Sequence, residues 1–472
     1  MAVPLPISAA ASAARVPFRP VYTGVIAFVA ALGGLLFGYD WVVIGGAKPF
    51  YEVFFHLTSD HLIGWATSCA LVGCLLGSSV AGAFSDRFGR RPVLLASAML
   101  FAASSILTGW AHIFSAFILW RMTGGVAIGL ASNVSPIYIS EISPPHWRGR
   151  LVSLNQLAIV VGVLLAQVAD WLIAIHGGNS AALLSWNVQY GWRWMFTAVA
   201  IPSGIFLITA LLVPESPRWL ISRGRLPAAR RVLARLADHA YAESEVIAVQ
   251  ASLASEASQS TASFAELLSP ALRRPLLIGV AIAVLQQWSG INVLFNYAQE
   301  VYRDAGYGVG DILFNIVITG TINLLFTLLA MTLVDRIGRR SLMLFGCLGV
   351  GTAHLLVALA YHLHLHGLPV LVFTLCAIAC YSMSLAPVTW VIISEIFPNR
   401  IRGIGVSAAV SALWAASFLL VYTFPWMNRA LGPSGTFVTY GVVCLAGFFF
   451  VKTTVPETGG KSLEEIQQVM TG

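Results

Sequence analysis

Runs of about 20 apolar residues recur from one end of this 472-residue chain to the other. Each is long enough to cross ~30 Å of hydrocarbon. Inside a bilayer no water satisfies the backbone, so each run has to be a helix. Twelve are legible, at about 21–46, 62–84, 92–112, 114–139, 150–174, 192–213, 274–302, 310–334, 341–364, 368–394, 402–427 and 434–454. Charge agrees with this reading: only 10% of residues are charged, against about 25% in soluble proteins. The fold class expected is an all-α membrane protein of twelve transmembrane helices.

The net charge of +7 is topological rather than a sign of a nucleic-acid partner. Of the 27 Lys and Arg, Lys48, Arg193, Arg303 and Arg429 fall on one side and Arg121 in or at the edge of a span. The other 22 lie on the opposite side, which the positive-inside rule makes cytoplasmic, with both termini. The stretch before Val21, with Pro4, Pro6, Pro17 and Pro20, reads as a short disordered tail and not as a signal peptide. All six cysteines fall within spans and behave as small apolar residues. The "HLHLH" of His362, His364 and His366 reads as a solvated outer loop. Neither a metal nor a cofactor is expected.

The chain repeats itself. "DRFGRR" at 86–91 returns as "DRIGRR" at 335–340, "EISPPHWRG" at 141–149 as "EIFPNRIRG" at 395–403, and "PESPRWL" at 214–220 as "PETGGKSL" at 456–463. The expected organisation is a tail (1–20), a six-helix bundle (21–213), a helical linker (214–273), a second six-helix bundle (274–454) and a tail (455–472). Parallel repeats of this kind belong to carriers whose substrate site lies between two bundles near the midplane. In the linker, 227–238 and 243–257 read as amphipathic helices and 264–268 as a third, together a bracket tying the bundles.

Acid and base at fixed spacing on the basic side of both halves suggest a conformational latch. Its members are Asp86, Arg90, Arg91, Glu141, Arg148, Glu215 and Arg218, and then Asp335, Arg339, Arg340, Glu395 and Arg402. Surface pairs are worth about 0–1 kcal/mol each, yet as a set they can bias a two-state equilibrium. Within the spans, Gln156, Gln286, Gln287, Asn292, Asn296 and Asn323 supply amides that both donate and accept, as a neutral polyhydroxylated ligand requires. Trp390 and Trp414 add flat apolar surfaces within the spans, although tryptophan also serves interfacial belts. Asp40 and Arg121, opposite charges in one half, are expected to pair. A charge at the bilayer centre costs at least ~2.5 kcal/mol, so it persists where it has a partner or a task.

"DRFGRR", "PESPRWL", "QQWSGIN" (286–292), "DRIGRR" and "PETGGKSLEEI" resemble the signatures of the sugar porter family of the major facilitator superfamily, over nearly the whole chain. The resemblance implies a monosaccharide carrier, not an enzyme, working by alternating access. It also implies that Gln156, Gln286, Gln287, Asn292, Asn323 and Trp390 bind sugar, with Phe37 and Trp414 lining the site. Facilitative glucose transporters typically read "FGYN" where this chain has "FGYD", so Asp40 with Arg121 implies proton symport. The alternatives are a uniporter and a nontransporting sugar sensor. Two departures bear on the sugar preferred: Asn296 stands where relatives commonly have Tyr, and Leu413 where they have Gln or Asn. The expected partners are a monosaccharide, a proton and lipid. The protein is expected as a monomer in a bacterial inner membrane, since the outer loops are short and the one sequon, "NVS" at 133–135, lies within a span.

Overall fold

The structure is a computed structural model and describes residues 18–144, 147–258, 264–398, 401–458 and 465. Both predicted tails lie largely outside the described residues. The first half holds α1 (Pro20–Phe54), α2 (Asp60–Phe88), α3 (Arg90–Gly109), α4 (Phe114–Ile142) and α5 (Arg148–His176). A π turn (Asn187–Gly191), α6 (Trp192–Ala198) and α7 (Ala200–Leu212) follow. The linker holds α8 (Pro217–Ser222), α9 (Leu226–Leu236), α10 (His239–Ser258) and a 3-10 turn, Phe264–Leu268. The second half holds α11 (Pro270–Trp288), α12 (Ile291–Asn296), α13 (Ala298–Asp304), α14 (Val309–Ile337), α15 (Arg339–His362), α16 (Leu368–Met383), α17 (Leu385–Glu395) and α18 (Arg402–Thr454). The protein is all-α.

The 53 residues of α18 would run roughly 80 Å at 1.5 Å per residue, too long for one crossing. Gly432 breaks the helix (φ 69°, ψ 170°), and the chain doubles back there. Tyr422 packs on Gly64 near the start of α2, whereas the Lys452 carbonyl has returned to accept from Arg340 on the Arg-rich side. The two apolar runs expected at 402–427 and 434–454 are these two limbs.

Two other spans differ from the sequence reading. The first runs to Phe54 rather than 46, because "GGAKPF" continues the helix through Pro49. Lys48, expected in an outer loop, is instead 0% exposed; it is ion-paired to Glu300 on α13 and to Glu52, 3.5 Å away. The seventh span breaks into α11, α12 and α13. Gly290 (φ 82°) takes a left-handed conformation that an L side chain adopts only with strain. Helix α10 begins four residues before expectation because the Asp238 carboxylate caps it, accepting the Tyr241 N–H at 2.7 Å.

The linker touches both halves. The Arg19 N–H donates to the Leu236 carbonyl of α9 at 2.9 Å, and Phe18 meets Tyr241 of α10 ring to ring at 4.8 Å. The 3-10 turn packs against α11 and α18. The halves themselves meet mainly through α2 on α18 and α5 on α14, away from the Arg-rich side. Asp60 pairs with Arg429 at 2.8 Å, and Trp171 meets Phe314 at 5.5 Å.

Candidate functional site

Helix α1 packs against α4, α5 and α6 and carries three side chains of the candidate site within two turns. Asp40 is 2% exposed, and its Oδ1 accepts a hydrogen bond from Arg121 Nη1 of α4 at 2.9 Å. Arg121, 3% exposed, also donates from Nη2 to the Asp40 carbonyl at 3.3 Å. The pair is incomplete: Asp40 Oδ2 and Arg121 Nε have no partner among the described residues. Buried charges need such satisfaction to offset their desolvation, so this pair is held but not locked.

Phe37 and Trp41 lie on the same face of α1, four residues apart. They form a three-ring cluster with Trp414 of α18, with centroids 5.9 to 6.1 Å apart. Trp414 is buried, and its indole N–H donates to nothing among the described residues. The sequence reading missed Trp41. Its signal was present, since it follows Asp40 directly and sits one turn beyond Phe37.

The break at Gly290 brings the amides of the second half together. Gln286 Nε2 donates to the carbonyls of Leu385 and Ala386 at 3.3 Å each. Gln287 Nε2 donates to Gln286 Oε1 at 3.2 Å. Asn292 Nδ2 donates to Gln287 Oε1 and, at 3.3 Å, to the Ser417 hydroxyl of α18. Asn296 Nδ2 donates to the Asn292 carbonyl at 3.1 Å. Asn323 accepts from the Ser382 hydroxyl at 2.7 Å. Ser382 and Ser417 were also missed; each is a single hydroxyl in an apolar run, a pattern with many innocuous instances. Gln156, half-buried on α5, and Trp390, 38% exposed on α17, make no hydrogen bond or ring contact with this cluster among the described residues. A small cavity of about 10 Å³, lined by Trp41, Thr67 and Arg121 from the first half and Asn296 from the second, lies between Arg121 and the nearest of these amides.

On the Arg-rich side several of the predicted latch residues make contacts within their own half. Arg90 forks onto Glu141, with both bonds at 3.0 Å, and reaches Asp86 at 3.1 Å. Arg339 lies 3.7 Å from Glu395. Arg148 Nε donates to the Ser140 carbonyl and Arg402 Nε to that of Phe397. Arg91 donates to the carbonyls of Ala210 and Leu211. Arg218 lines a cavity of about 130 Å³ with Glu141, Arg148 and the linker. The side chain of Asp335 lies outside the described part.

Glu215 works as a helix cap. Its carboxylate accepts the backbone N–H groups of Arg90 at 3.0 Å and Arg91 at 3.2 Å, at the start of α3. Burial raises its pKa above the ordinary carboxylate value, while the N–H groups of Ser216, Arg91 and Arg90 pull it back. Glu457 does the same for Arg339 and Arg340 at the start of α15, at 2.9 and 3.1 Å. The glycine before each cap has a positive φ (Gly89 104°, Gly338 93°), and a Cβ on either would strike the capping carboxylate. Glu457, absent from the predicted set, was signalled by its place in the repeat of "PES" as "PET".

The family described as "Sugar (and other) transporter" matches residues 26–470. The chain belongs to the sugar transporter family. Its members are membrane carriers and not enzymes. Among its relatives in this sugar transporter family is the D-xylose-proton symporter of Escherichia coli (strain K12), 36% identical over 95% of this chain and 96% of that one. The arabinose-proton symporter of Bacillus subtilis (strain 168) is 35% identical over 94% of each. The solved structure of the xylose transporter XylE from E. coli, in a partially occluded inward-open conformation, superposes with a TM-score of 0.83. It is 35% identical and covers 94% of this chain and 100% of that one.

Proposed function

We propose that this sugar transporter is a proton-coupled carrier of a monosaccharide, of the hexose or pentose class. The observation that carries the proposal is the join between two chemistries: a buried, half-satisfied Asp40–Arg121 pair abuts an aromatic and amide cluster drawn from both halves. The amides donate and accept as sugar hydroxyls require, and the unbonded Trp414 N–H adds a donor. The Phe37, Trp41 and Trp414 rings offer the apolar faces on which a pyranose stacks. Trp41 adjoins Asp40 in the chain, so a shift of α1 that loosens the ion pair also moves a wall of the sugar site. That supplies the link between proton and sugar.

The basic side is cytoplasmic in this proposal, by the positive-inside rule. Both termini then face the cytoplasm of a bacterium, and the site is bounded at 21–213 and 274–454 by the two bundles. The halves meet on the outer side, through Lys48–Glu300, Asp60–Arg429 and α5 on α14, so the state is inward-facing. The similarity to an inward-open relative supports that reading. The Arg90 and Arg339 networks then belong to a latch that is parted between halves in this state and closes across them in the other.

The test is uptake of labelled sugars into proteoliposomes across a panel of hexoses and pentoses, with and without an imposed pH gradient. Accumulation that follows the gradient is expected. Asp40→Asn should reduce the accumulation ratio to about one while counterflow persists. A uniporter would instead equilibrate sugar with no response to the gradient, and full accumulation by Asp40→Asn would remove the coupling role.

A further inference from the structure

The coupling pair uses one buried acid, and a second has no place in it. Asp170, near the end of α5, is 1% exposed, and neither carboxylate oxygen has a partner among the described residues. The carboxyl presses on α1, where a Cβ added at Gly46 would strike it. Tyr39, also on α1, is buried, with its backbone packed against Gly162 of α5.

One turn earlier on α5, Gln167 is equally buried at 1%, and neither atom of its amide is bonded. It packs on α14, where a Cβ at Gly320 would overlap its Oε1. On α14 itself the buried Asn315 has an unbonded amide nitrogen. Buried polar groups are nearly always satisfied in native proteins, so three orphans on adjoining surfaces call for a physical explanation.

No cation among the described residues answers this carboxylate. Lys48 of α1 is taken by Glu300 and Glu52, Arg121 of α4 by Asp40, and Arg193 of α6 by the carbonyls of Gly109 and Ala111. Asp311 at the start of α14 and Tyr190 of the π turn are both exposed. An ionised carboxylate with neither a cation nor a donor is the costliest state such a group can take in an apolar seam. A proton removes that charge and turns the group into a donor. Gln167 Oε1 is then an acceptor at the (i, i+3) position on the same helix face.

We infer that Asp170 is a second proton-binding site, filled as the seam of α1, α5 and α14 closes and emptied as it opens. The seam lies on the side where the halves meet, so the proton enters and leaves from that side. It sets the pH range over which that side closes, and does not travel with the sugar. The inference rests on the alternating-access reading but not on Asp40 as the coupling acid.

The test is sugar counterflow at equal pH on both faces, over a pH series, for wild type, Asp170→Asn and Asp40→Asn. Wild-type exchange should fall on the alkaline limb, with a slope approaching tenfold per pH unit for one proton. Asp170→Asn should lose that limb and still accumulate sugar under a gradient, while Asp40→Asn should keep the limb. Should Asp170→Asn fold poorly, Gln167→Leu removes the acceptor and should shift the limb to lower pH. Infrared difference spectra of the purified full chain give an independent readout: a protonated-carboxyl C=O band that Asp170→Asn removes and Asp40→Asn retains. An unchanged alkaline limb in Asp170→Asn, or an infrared band indifferent to it, overturns the assignment. Failure of symport is read separately, as accumulation that ignores the gradient.

Discussion

The two halves share a scaffold and differ at their centres. On the Arg-rich side the same device appears twice: a carboxylate from the end of each half, Glu215 or Glu457, accepts the first N–H groups of a helix that starts after a positive-φ glycine. Inside, the likeness ends. In the first half α1 and α4 carry Asp40 and Arg121, whereas in the second the stretch between Arg274 and Glu300 is uncharged and rich in amides, and α16 carries no charge at all. Duplication has kept the parts that fix how helices start and turn. The interiors differ: one holds a buried charge pair, the other a cluster of neutral amides bonded to one another. The ring cluster, with Phe37 and Trp41 from one half and Trp414 from the other, is where the two meet.

The largest effect that separates the halves should come from Arg121→Leu. It leaves Asp40 in an apolar interior without its donor, and breaking a buried pair this way costs about 3–5 kcal/mol. The thermal midpoint of the detergent-solubilised protein should fall markedly. The double variant Asp40→Leu/Arg121→Leu should recover most of that loss, because no charge then remains uncompensated. In the second half Gln286→Leu removes a neutral group and should cost less than Arg121→Leu. A double variant no more stable than the single one would mean that the charge pair is not what distinguishes the first half energetically.

The next effect is on the ligand. Asn292 links Gln287 to Ser417 and so ties α11, α12 and α18 together. Asn292→Ala should weaken sugar binding about 10- to 100-fold, or ~1.4–2.8 kcal/mol, read as a higher KM for uptake. At saturating sugar the accumulation ratio should be unchanged. That is the reverse of the Asp40→Asn phenotype, which spares exchange and loses accumulation. If Asn292→Ala also uncouples transport, the division between a charge-handling half and a ligand-binding half is too sharp.

Periodic apolar runs made the helices legible, because a bilayer leaves the backbone no alternative to hydrogen-bonding itself. Repeated motifs made the halves legible. The breaks were harder to read. Gly290 and Gly432 are two among 42 glycines, and only tertiary packing decides which of them leave the helical region. Lys48 was misplaced for a related reason: a lysine beside two glycines and a proline looks like an exit from the membrane. What keeps it inside is Glu300, some 250 residues away in sequence. The amides and the Asp40–Arg121 pair were visible because charge and hydrogen-bonding capacity are rare within apolar runs. Trp41 and Asp170 were not singled out: the first is one of 14 tryptophans, many suited to interfaces, and the second lies near the end of a span, where acids are common. Burial and the lack of a partner set Asp170 apart, and neither is a property of sequence.

The smallest effect tests the likeness rather than the difference. Glu215→Ala and Glu457→Ala each remove a carboxylate that accepts two consecutive backbone N–H groups, so each should destabilise its half by about 1 kcal/mol, within the ~0.5–2 range of lost helix caps. The losses should be close in thermal unfolding, since both carboxylates accept the first two N–H groups of the next helix, with Glu215 also accepting the Ser216 N–H at 2.7 Å. The surrounding pairs do not match: Arg90 holds Glu141 through two 3.0 Å bonds, whereas Arg339 lies 3.7 Å from Glu395. Bidentate arginine pairs are the stronger kind, so Arg90→Gln should cost more than Arg339→Gln. Equal cap losses with unequal arginine losses would show that duplication has preserved the backbone device while the charges around it have drifted. Unequal cap losses would mean that even the shared scaffold has taken on separate duties in the two halves.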